Sequence, residues 1–198
     1  MREDRLSPGG LPQHHAATAA IRQAASAADI ARARALMQEY ADSLNVDLCF
    51  QGFAAELAGL PGAYAPPRGR LLLAGTSGSA FGCIALRPLV TGPDESMATT
   101  PVGEIKRLYV QPAQRAGHWG RRLAAALIAE AQAIGYRELK LDTLARMAPA
   151  RALYAQLGFR ECAAYYANPL PEVMYMSLTL PQFDPARRDE PSASRQCS

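Results

Sequence analysis

The sequence predicts a mixed α/β domain in which one sheet is covered by helices, and three observations predict this class. Short apolar runs typical of strands alternate along the chain with longer segments that repeat every three to four residues. With 198 residues, the chain has room for one domain with a substantial core. Its 49% hydrophobic and 20% charged residues are typical of a globular protein, and no segment repeats.

The domain is expected to span residues 18–180, between two flexible ends. Residues 1–17 are polar, contain Pro and Gly, and have no apolar period. Residues 181–198 are charged and rich in Ser, with Pro among them. We therefore expect an N-terminal arm and a C-terminal tail that take no part in the core.

The domain is predicted to begin with a strand and two helices. The strand is placed at Ala17–Arg22. Ser26 is a suitable N-cap residue with Asp29 three positions later, and apolar residues at helical spacing extend that helix over Ala27–Leu44. A shorter helical stretch, Gly52–Leu60, ends in a Pro-Gly pair.

The middle of the chain is predicted to hold three strands and the longest remaining helix. The apolar runs Arg70–Ala74 and Ala80–Leu86 are joined by Gly and Ser residues and predict a hairpin. A third strand is predicted at Gly103–Val110. The alanine-rich segment Arg121–Ile134 has one apolar stripe and stops before Gly135, which predicts a helix with a glycine C-cap.

The last third of the chain is predicted to add three strands and one helix. Arg137–Thr143 alternates apolar and polar residues, as a half-buried strand does. Pro149–Leu157 has Pro at its start and Gly158 after its end, which predicts a helix. The final strands are predicted at Phe159–Tyr166 and Glu172–Leu180.

Composition argues against several classes of function. The formal charge of +3, from 21 basic and 18 acidic residues, lacks the dense basic face of a nucleic-acid-binding module. No run reaches the roughly 18 to 20 apolar residues of a membrane span. The cysteines form no CxxC pair, and the adjacent His14 and His15 are read as part of a solvated arm, so we expect no metal. Isolated cysteines and a polar N-terminus favour a reducing, cytoplasmic location.

The stretch QRAGHWGRRL, residues 114–123, is a candidate anion-binding site. It follows a predicted strand and runs directly into a predicted helix, so backbone N–H groups at the helix start can face an anion beyond the strand end. Three arginines surround it. The spacing of Gly117 and Gly120 matches neither a dinucleotide fingerprint nor a nucleotide P-loop, so a solvated basic turn is an equal alternative on these residues alone.

The wider segment decides between these alternatives. The residues KRLYVQPAQRAGHWGRRLAAALIAEAQAIGY, followed by LKLDTLARMAPARALYAQLGF, resemble the GNAT superfamily of N-acyltransferases. That family has a pyrophosphate loop Q/R-x-x-G-x-G/A and a later helix with LYxxLGF. The match is specific from Glu104 to Phe159. It implies a central mixed, mostly antiparallel sheet of six to seven strands flanked by about four helices.

The resemblance implies acetyl-CoA as cosubstrate. In the pyrophosphate loop Arg115 takes the first position and Gly120 the last, while His118 stands where the family has its first glycine. Glycine permits close backbone approach and left-handed dihedrals, so His118 either tolerates that geometry or alters it, and Gly117 beside it is the other candidate for the unusual dihedral. The arginines at 115, 121 and 122 suit the coenzyme's phosphates. The implied coenzyme-binding residues are Leu108, Tyr109, Val110, Arg115, Ala116, Gly117, His118, Trp119, Gly120 and Arg121.

The resemblance also implies two catalytic side chains. Tyr154, in ALYAQLGF, matches the tyrosine that protonates the departing thiolate, although a buried core aromatic is the competing interpretation. Glu104 stands where some members place a general base. By a period of two it is expected to share a face with Lys106, Leu108 and Val110. An exposed glutamate paired with a neighbouring cation is the alternative.

The acceptor is expected to be a small amine or an amino acid, and a peptide amine is the alternative. In this fold the acceptor side is formed by the first helices and the last strands, and the candidate residues are Phe50, Gln51, Tyr165, Tyr166 and Asn168. Asp142 and Thr143 end a strand at the same edge. His118 and Met147 depart from the family pattern, and a non-catalytic acyl-CoA sensor is therefore a second hypothesis. Whether the chain is a monomer or a homodimer stays open.

Overall fold

A computed structural model describes residues 18–44, 52–76, 78–89 and 101–181 of the chain. The predicted arm, the predicted tail from residue 182 onwards and the candidate acceptor residues Phe50 and Gln51 lie outside the described residues. The described part forms one seven-stranded sheet in the order β1-β2-β3-β4-β5-β7-β6. Every neighbouring pair is antiparallel except β4 and β5, which are parallel. The predicted mixed, mostly antiparallel sheet is confirmed.

The strands follow the apolar runs of the sequence. Their bounds are β1 Ala20–Gln23, β2 Arg70–Thr76, β3 Ser79–Pro88, β4 Val102–Val110, β5 Glu138–Leu144, β6 Arg160–Cys162 and β7 Val173–Thr179. The predicted hairpin is the antiparallel pair β2–β3, which closes at Thr76 and Ser79.

Four α-helices cover the sheet in the described part of the chain. They are α1 Ala27–Leu44, α2 Phe53–Ala58, α3 Trp119–Ile134 and α4 Ala148–Gln156, and two 3-10 turns occupy Gly62–Tyr64 and Pro112–Gly117. α3 ends at Gly135, whose φ of 101° is in the left-handed region that glycine adopts without strain. The predicted bounds of α1 are confirmed at both ends.

The sheet separates two apolar clusters. On one face, Leu123 and Leu127 of α3 pack on β2 to β5 through residues such as Ile84 and Leu139. On the other face, Leu36 and Met37 of α1 pack on β2 and β3 together with α2. β2 contributes side chains to both clusters, because successive residues of a strand point to opposite faces of the sheet.

The start of α1 is fixed by a reciprocal capping arrangement. The Asp29 N–H donates to the Ser26 hydroxyl at 3.1 Å, and the Asp29 carboxylate accepts from the N–H groups of Ala25 and Ser26, each at 3.2 Å. Arg22 adds an ion pair at 2.6 Å. Burial alone would raise the pKa of Asp29, but these backbone and side-chain donors lower it to about 2.

Two predicted boundaries are wrong for local reasons. The strand predicted at Phe159–Tyr166 is shortened to Arg160–Cys162, because the chain then leaves the sheet and the hydroxyls of Tyr165 and Tyr166 reach other strands. α3 begins at Trp119 rather than Arg121. Its first residue is buried against Phe81, with the ring centroids 5.1 Å apart.

A β-bulge in β4 creates the most important irregularity of the sheet. Cys83 of β3 faces Tyr109, while Ala85 faces Lys106, so the two residues between them on β4 oppose one residue on β3. Arg107 in this bulge has φ 59°, in the left-handed region. A bulge bends its strand and increases the local twist. Consistent with this, β4 pairs with β5 only over Val102–Glu104, and the two strands separate beyond that point.

The bulge also reverses the alternation of β4. Glu104 and Lys106 lie on the face opposite Ile105, but Leu108 and Val110 pack in the same cluster as Ile105. The prediction that Glu104 shares a face with Leu108 and Val110 is therefore wrong. An extra residue shifts every later side chain to the other face.

The bulge is held by a buried ion pair. The Arg107 guanidinium donates to both carboxylate oxygens of Glu56 on α2, at 2.9 and 2.6 Å, and lies 4.8 Å from the Phe53 ring centroid. The Tyr64 hydroxyl donates to the same carboxylate at 2.8 Å. Burial alone would raise the pKa of Glu56, yet these donors lower it. A residue in a strained conformation persists only where its surroundings fix it, and this pair supplies that fixation.

Neither a membrane span nor a metal site is present among the described residues. None of their helices has the length and apolar character needed to cross a membrane. Within the same residues, no cluster of His, Cys, Asp and Glu is arranged to hold a metal ion, and Cys83 and Cys162 are free thiols. His14, His15, Cys49 and Cys197 lie outside the described residues.

We expect Asp29→Asn to lower the free energy of unfolding by about 1 kcal/mol at pH 7, because it weakens the cap of α1. The pKa of Asp29 in the folded protein, about 2, is below the ordinary value of an aspartate carboxyl. The carboxylate therefore stabilises the fold above pH 4, and this contribution is lost as the pH falls towards 2. Denaturant unfolding between pH 2 and 6 should show the two proteins converging at the acidic end. A constant difference across that range would contradict the prediction.

Replacing Glu56 with Gln should destabilise the protein by about 3 kcal/mol, because the buried Arg107 guanidinium loses the carboxylate that pairs with it among the described residues. The control is Glu161→Gln, a change at an exposed residue of β6 that we expect to cost less than about 0.5 kcal/mol. Chemical denaturation measures both. Equal stabilities of the two variants would show that the ion pair does not hold the bulge.

Candidate active site

Two adjacent cavities occupy the gap where β4 and β5 separate. The larger has a volume of about 400 Å³ and opens towards the start of α3. The smaller, of about 70 Å³, lies between β4, the end of β5 and α4. Both are lined by Tyr40, Leu108, Met147 and Ala150, so the two cavities are neighbours. The separation of the strands thus leaves two adjoining spaces between the sheet edge and the start of α3.

The larger cavity is lined by most of the residues predicted to bind the coenzyme. Those that line it are Leu108, Tyr109, Val110, Arg115, His118, Gly120 and Arg121. Ala116, Gly117 and Trp119, which were also predicted, do not line it. The first backbone bond of α3 runs from the Arg122 N–H to the His118 carbonyl, so the preceding N–H groups have no partner within the helix. These free donors and the helix dipole make this end of the cavity suitable for an anion.

His118 itself takes the left-handed conformation at the start of α3, with φ 54° and ψ 23°. Of the two candidates, His118 takes this dihedral, and Gly117 is not among the residues with positive φ. Gly117 is required for another reason: a Cβ there would lie 2.7 Å from two atoms of the Trp119 ring. Residue 118 therefore has the left-handed conformation that glycine takes without strain, despite its imidazole.

The arginines around the loop have different surroundings. Arg115 donates to the Val110 carbonyl at 3.1 Å and lines the larger cavity. Arg121 also lines it and donates to Gln156 at 3.2 Å. Arg122 instead lies 3.5 Å from the Trp119 ring centroid, outside the cavity lining. Arg115 and Arg121 are thus the two placed beside the free helix N–H groups.

Comparison with known proteins identifies the family of this chain. The model of the Acetyltransferase (GNAT) family matches residues 33–159. The chain belongs to the GNAT acetyltransferase family. It is an acyl-CoA-dependent N-acyltransferase, and the resemblance seen in the sequence is confirmed.

Individual relatives extend the comparison. An uncharacterized N-acetyltransferase of Schizosaccharomyces pombe is 39% identical over 146 residues, covering 73% of this chain and 85% of that protein. Among solved structures, a GNAT-family acetyltransferase from Staphylococcus aureus has a TM-score of 0.65 at 17% identity, covering 83% of this chain and all of that one. A Salmonella typhimurium protein solved with its cofactor acetyl-CoA has a TM-score of 0.56 at 20% identity, covering 91% and 99%.

Tyr154, the predicted acid of this GNAT enzyme, lies at the smaller cavity. It is 6% exposed, and its ring packs edge-on against Phe159 with the centroids 5.4 Å apart. Burial, with the nearby Tyr40 and Asp142, raises the pKa of its phenol far above the ordinary value. The hydroxyl therefore keeps its proton at any working pH. It lines the cavity and has no hydrogen-bond partner among the described residues.

Glu104, the predicted base, lies behind the cavity wall rather than in it. Its carboxylate is 1% exposed and accepts from Arg87 at 2.7 Å and from the Tyr165 hydroxyl at 3.1 Å. The Lys106 ammonium is 3.4 Å away. Glu104 lines neither cavity. The alternative of an exposed glutamate at the strand start is wrong, although its pairing with Lys106 is present.

Asp142 is the carboxylate that does line the smaller cavity. It accepts from Lys106 at 2.8 Å and from the Tyr166 hydroxyl at 2.9 Å, and Asn168 donates to that hydroxyl at 2.8 Å. Burial alone would raise the pKa of Asp142, but Lys106 and Tyr166 lower it, so the group is anionic at neutral pH. The predicted acceptor residues Tyr166 and Asn168 are thus joined to the site through Asp142.

Sequence reasoning missed one cavity residue in particular. Tyr40 is one of the apolar residues that recur at helical spacing in α1, and the sequence pattern predicted no role for it in the site. The structure shows that it lines both cavities. Its spacing in α1 is the same as that of the core residues Leu36 and Met37, so periodicity contained no sign of a site. Met147, where the family often has asparagine, also lines both cavities and accepts weakly from Thr143, with sulfur and oxygen 3.9 Å apart.

Replacing His118 with Gly should raise the free energy of unfolding by about 1 kcal/mol relative to His118→Ala, because only glycine removes the cost of the left-handed conformation. The imidazole is absent from both variants. We therefore expect calorimetry to give the same acetyl-CoA Kd for both, within about threefold of the unchanged protein. Equal stabilities would contradict the assigned backbone conformation. A large loss of affinity in both variants would show that the imidazole itself contacts the coenzyme.

Proposed function

We propose that the protein transfers an acetyl group from acetyl-CoA to a primary amine of a small molecule or amino acid, by direct attack in a ternary complex. One observation carries the proposal. The two adjacent cavities have the start of α3, suited to an anion, at one end and the Tyr154 hydroxyl, unpaired among the described residues, at the other. Diphosphate, thioester and leaving sulfur would each meet a suitable group in them.

The coenzyme would occupy the larger cavity. Its diphosphate would accept from the free N–H groups that open α3, and Arg115 and Arg121 would add charge-assisted bonds. The pantetheine arm would extend along the separated part of β4, at Leu108 to Val110, where β5 no longer pairs with the strand. The Salmonella relative that binds acetyl-CoA shares this fold and supports the assignment.

Direct attack is favoured over an acyl-enzyme at Cys83, because this described thiol is not a competent nucleophile. Cys83 on β3 is fully buried, and its thiol donates to the Arg107 carbonyl at 3.4 Å. Burial raises the pKa of Cys83 to about 12, so it is a neutral thiol. Since the thiolate is the reactive form, Cys83 would not take up the acetyl group.

The charged groups near the smaller cavity would prepare the amine. The Asp142 carboxylate, which also accepts from Lys106 and the Tyr166 hydroxyl, would accept a hydrogen bond from the acceptor amine. Glu104 would act as base through water rather than by contact, since its carboxylate lies behind the wall and already accepts from Arg87 and Tyr165. Tyr154, whose hydroxyl stays protonated, would donate to the departing sulfur and give it a proton as the C–S bond breaks.

The size of the smaller cavity supports a slender acceptor. Its volume of about 70 Å³ is small beside the 400 Å³ of the neighbouring cavity, which suits an acetyl group and a narrow amine better than a bulky acceptor. A substituent on the amine would extend past Asn168 and Leu170, which line the same cavity on the β6–β7 side. A small amine or an amino acid would be narrow enough to enter the smaller cavity in this way.

The proposal is tested by following the label of [14C]acetyl-CoA into amines, with a panel of alkylamines, amino acids and peptides. Transfer with intersecting initial-velocity lines is expected for a ternary complex. Parallel lines would instead indicate an acyl-enzyme and overturn direct attack. Binding of acetyl-CoA without transfer to any amine would overturn the proposed activity.

Tyr154→Phe should lower kcat by about 10²-fold with little change in acetyl-CoA affinity, because it removes the proton donor and keeps the ring that packs on Phe159. The control is Tyr136→Phe. It deletes a hydroxyl that donates to the Arg68 carbonyl at 3.0 Å and lies outside both cavities. Unchanged turnover of Tyr154→Phe on an accepted amine would dismiss the acid role.

A further inference from the structure

The hydroxyl groups of the tyrosines divide into two sets. The chain has eight tyrosines, all within the described residues. Six of their hydroxyls have a protein partner: they belong to Tyr64, Tyr109, Tyr136, Tyr165, Tyr166 and Tyr175. Within the described chain, the hydroxyls of Tyr40 and Tyr154 have none. These two tyrosines line the same 70 Å³ cavity.

The position of these two unpaired hydroxyls at one cavity has a physical explanation. A buried hydroxyl without a hydrogen bond costs free energy, so almost all buried polar groups in folded proteins are paired. Tyr154 is buried and Tyr40 is half-buried, and both line one cavity, so a ligand in that cavity is a suitable partner for both hydroxyls. Tyr154 already has such a partner in the proposed function, the leaving sulfur. Tyr40 has no role in that mechanism.

We propose that Tyr40 is a second catalytic residue, whose hydroxyl donates a hydrogen bond to the acyl carbonyl oxygen of the bound thioester. The inference rests on the proposed acetyl transfer. Tyr40 lines both cavities, so it is placed beside the coenzyme in the larger one and beside the reacting groups in the smaller one. Its ring is held by α1 and by Tyr109, with centroids 6.1 Å apart.

The charge near Tyr40 suits this role better than the charge near Tyr154. Burial raises the pKa of Tyr40 to about 12, and the Arg107 guanidinium opposes that rise. No cation opposes the rise in the pKa of Tyr154, for which Tyr40 and Asp142 add to the effect of burial. The phenol near a cation is the better donor to an oxygen that gains negative charge.

Tyr40 would act while the amine attacks the thioester carbon. The lone pair of the neutral amine forms the N–C bond, while the carbonyl π pair moves to oxygen, and Tyr40 keeps its proton and hydrogen-bonds that oxyanion. When the carbonyl re-forms, the C–S bond breaks and Tyr154 gives its proton to the sulfur. The nitrogen then releases its extra proton to water, which returns a proton to Tyr154. Tyr40 ends the cycle unchanged.

The test compares Tyr40→Phe with the unchanged protein and with Tyr136→Phe. Phenylalanine keeps the ring, and the deleted hydroxyl bonds to no group among the described residues, so thermal unfolding of Tyr40→Phe should be unaltered. We expect kcat to fall about 10²-fold with unchanged acetyl-CoA Kd, as when one oxyanion donor is removed. Tyr136→Phe should retain full turnover.

A second measurement needs no acceptor amine. Isotope-edited infrared spectra of bound [1-13C]acetyl-CoA should place the acyl carbonyl band at lower wavenumber in the unchanged protein and in Tyr136→Phe than in Tyr40→Phe. A band that does not move in Tyr40→Phe overturns the contact, even if turnover falls. If the band moves but no amine is acetylated, the contact stands and the proposed acetyl transfer fails.

Discussion

The ion pair between Glu56 and Arg107 is the interaction on which the site depends. It fixes a strained residue in β4, and the bulge around that residue accompanies the separation of β4 from β5. That separation provides both cavities and leaves part of β4 unpaired on one side. A buried pair of this kind adds little net stability compared with an apolar replacement. Its contribution here is to fix the geometry of one strand.

Electrostatic balance is the second constraint. Each charged side chain near the smaller cavity is matched: Arg107 by Glu56, Lys106 by Asp142, and Arg87 by Glu104. Burying these charges without partners would be costly, so the pairs must form as the domain folds. The region is consequently polar yet nearly neutral. An incoming substrate meets fixed dipoles and unbonded hydroxyls rather than a strong net field.

Sequence reasoning predicted most of the fold but not its irregularities. The bounds of α1 followed from a capping pair and a regular period, both of which are local properties. The bulge at Arg107 was not visible, because a period-of-two pattern cannot show that one strand has an extra residue relative to its neighbour. The end of β6 at Cys162 depends on hydrogen bonds that Tyr165 and Tyr166 make to distant strands. For the site, the family motif located the coenzyme loop. The position of Tyr40 depends on how α1 lies across the sheet, which no local pattern contains.

The short pairing of β4 with β5 has a mechanical consequence. Three residue pairs join a four-stranded piece of sheet to a three-stranded one, whereas β5 and β7 are joined by seven. Beyond Glu104, side chains rather than backbone hydrogen bonds connect β4 to β5. The Lys106 ammonium nitrogen lies 2.8 Å from a carboxylate oxygen of Asp142. The distance between the strands there is no longer fixed by the regular spacing of a hydrogen-bonded ladder, which is about 4.8 Å. The width of the crevice is therefore a property of a few side chains, and it can differ between relatives without a change in the hydrogen-bonded sheet.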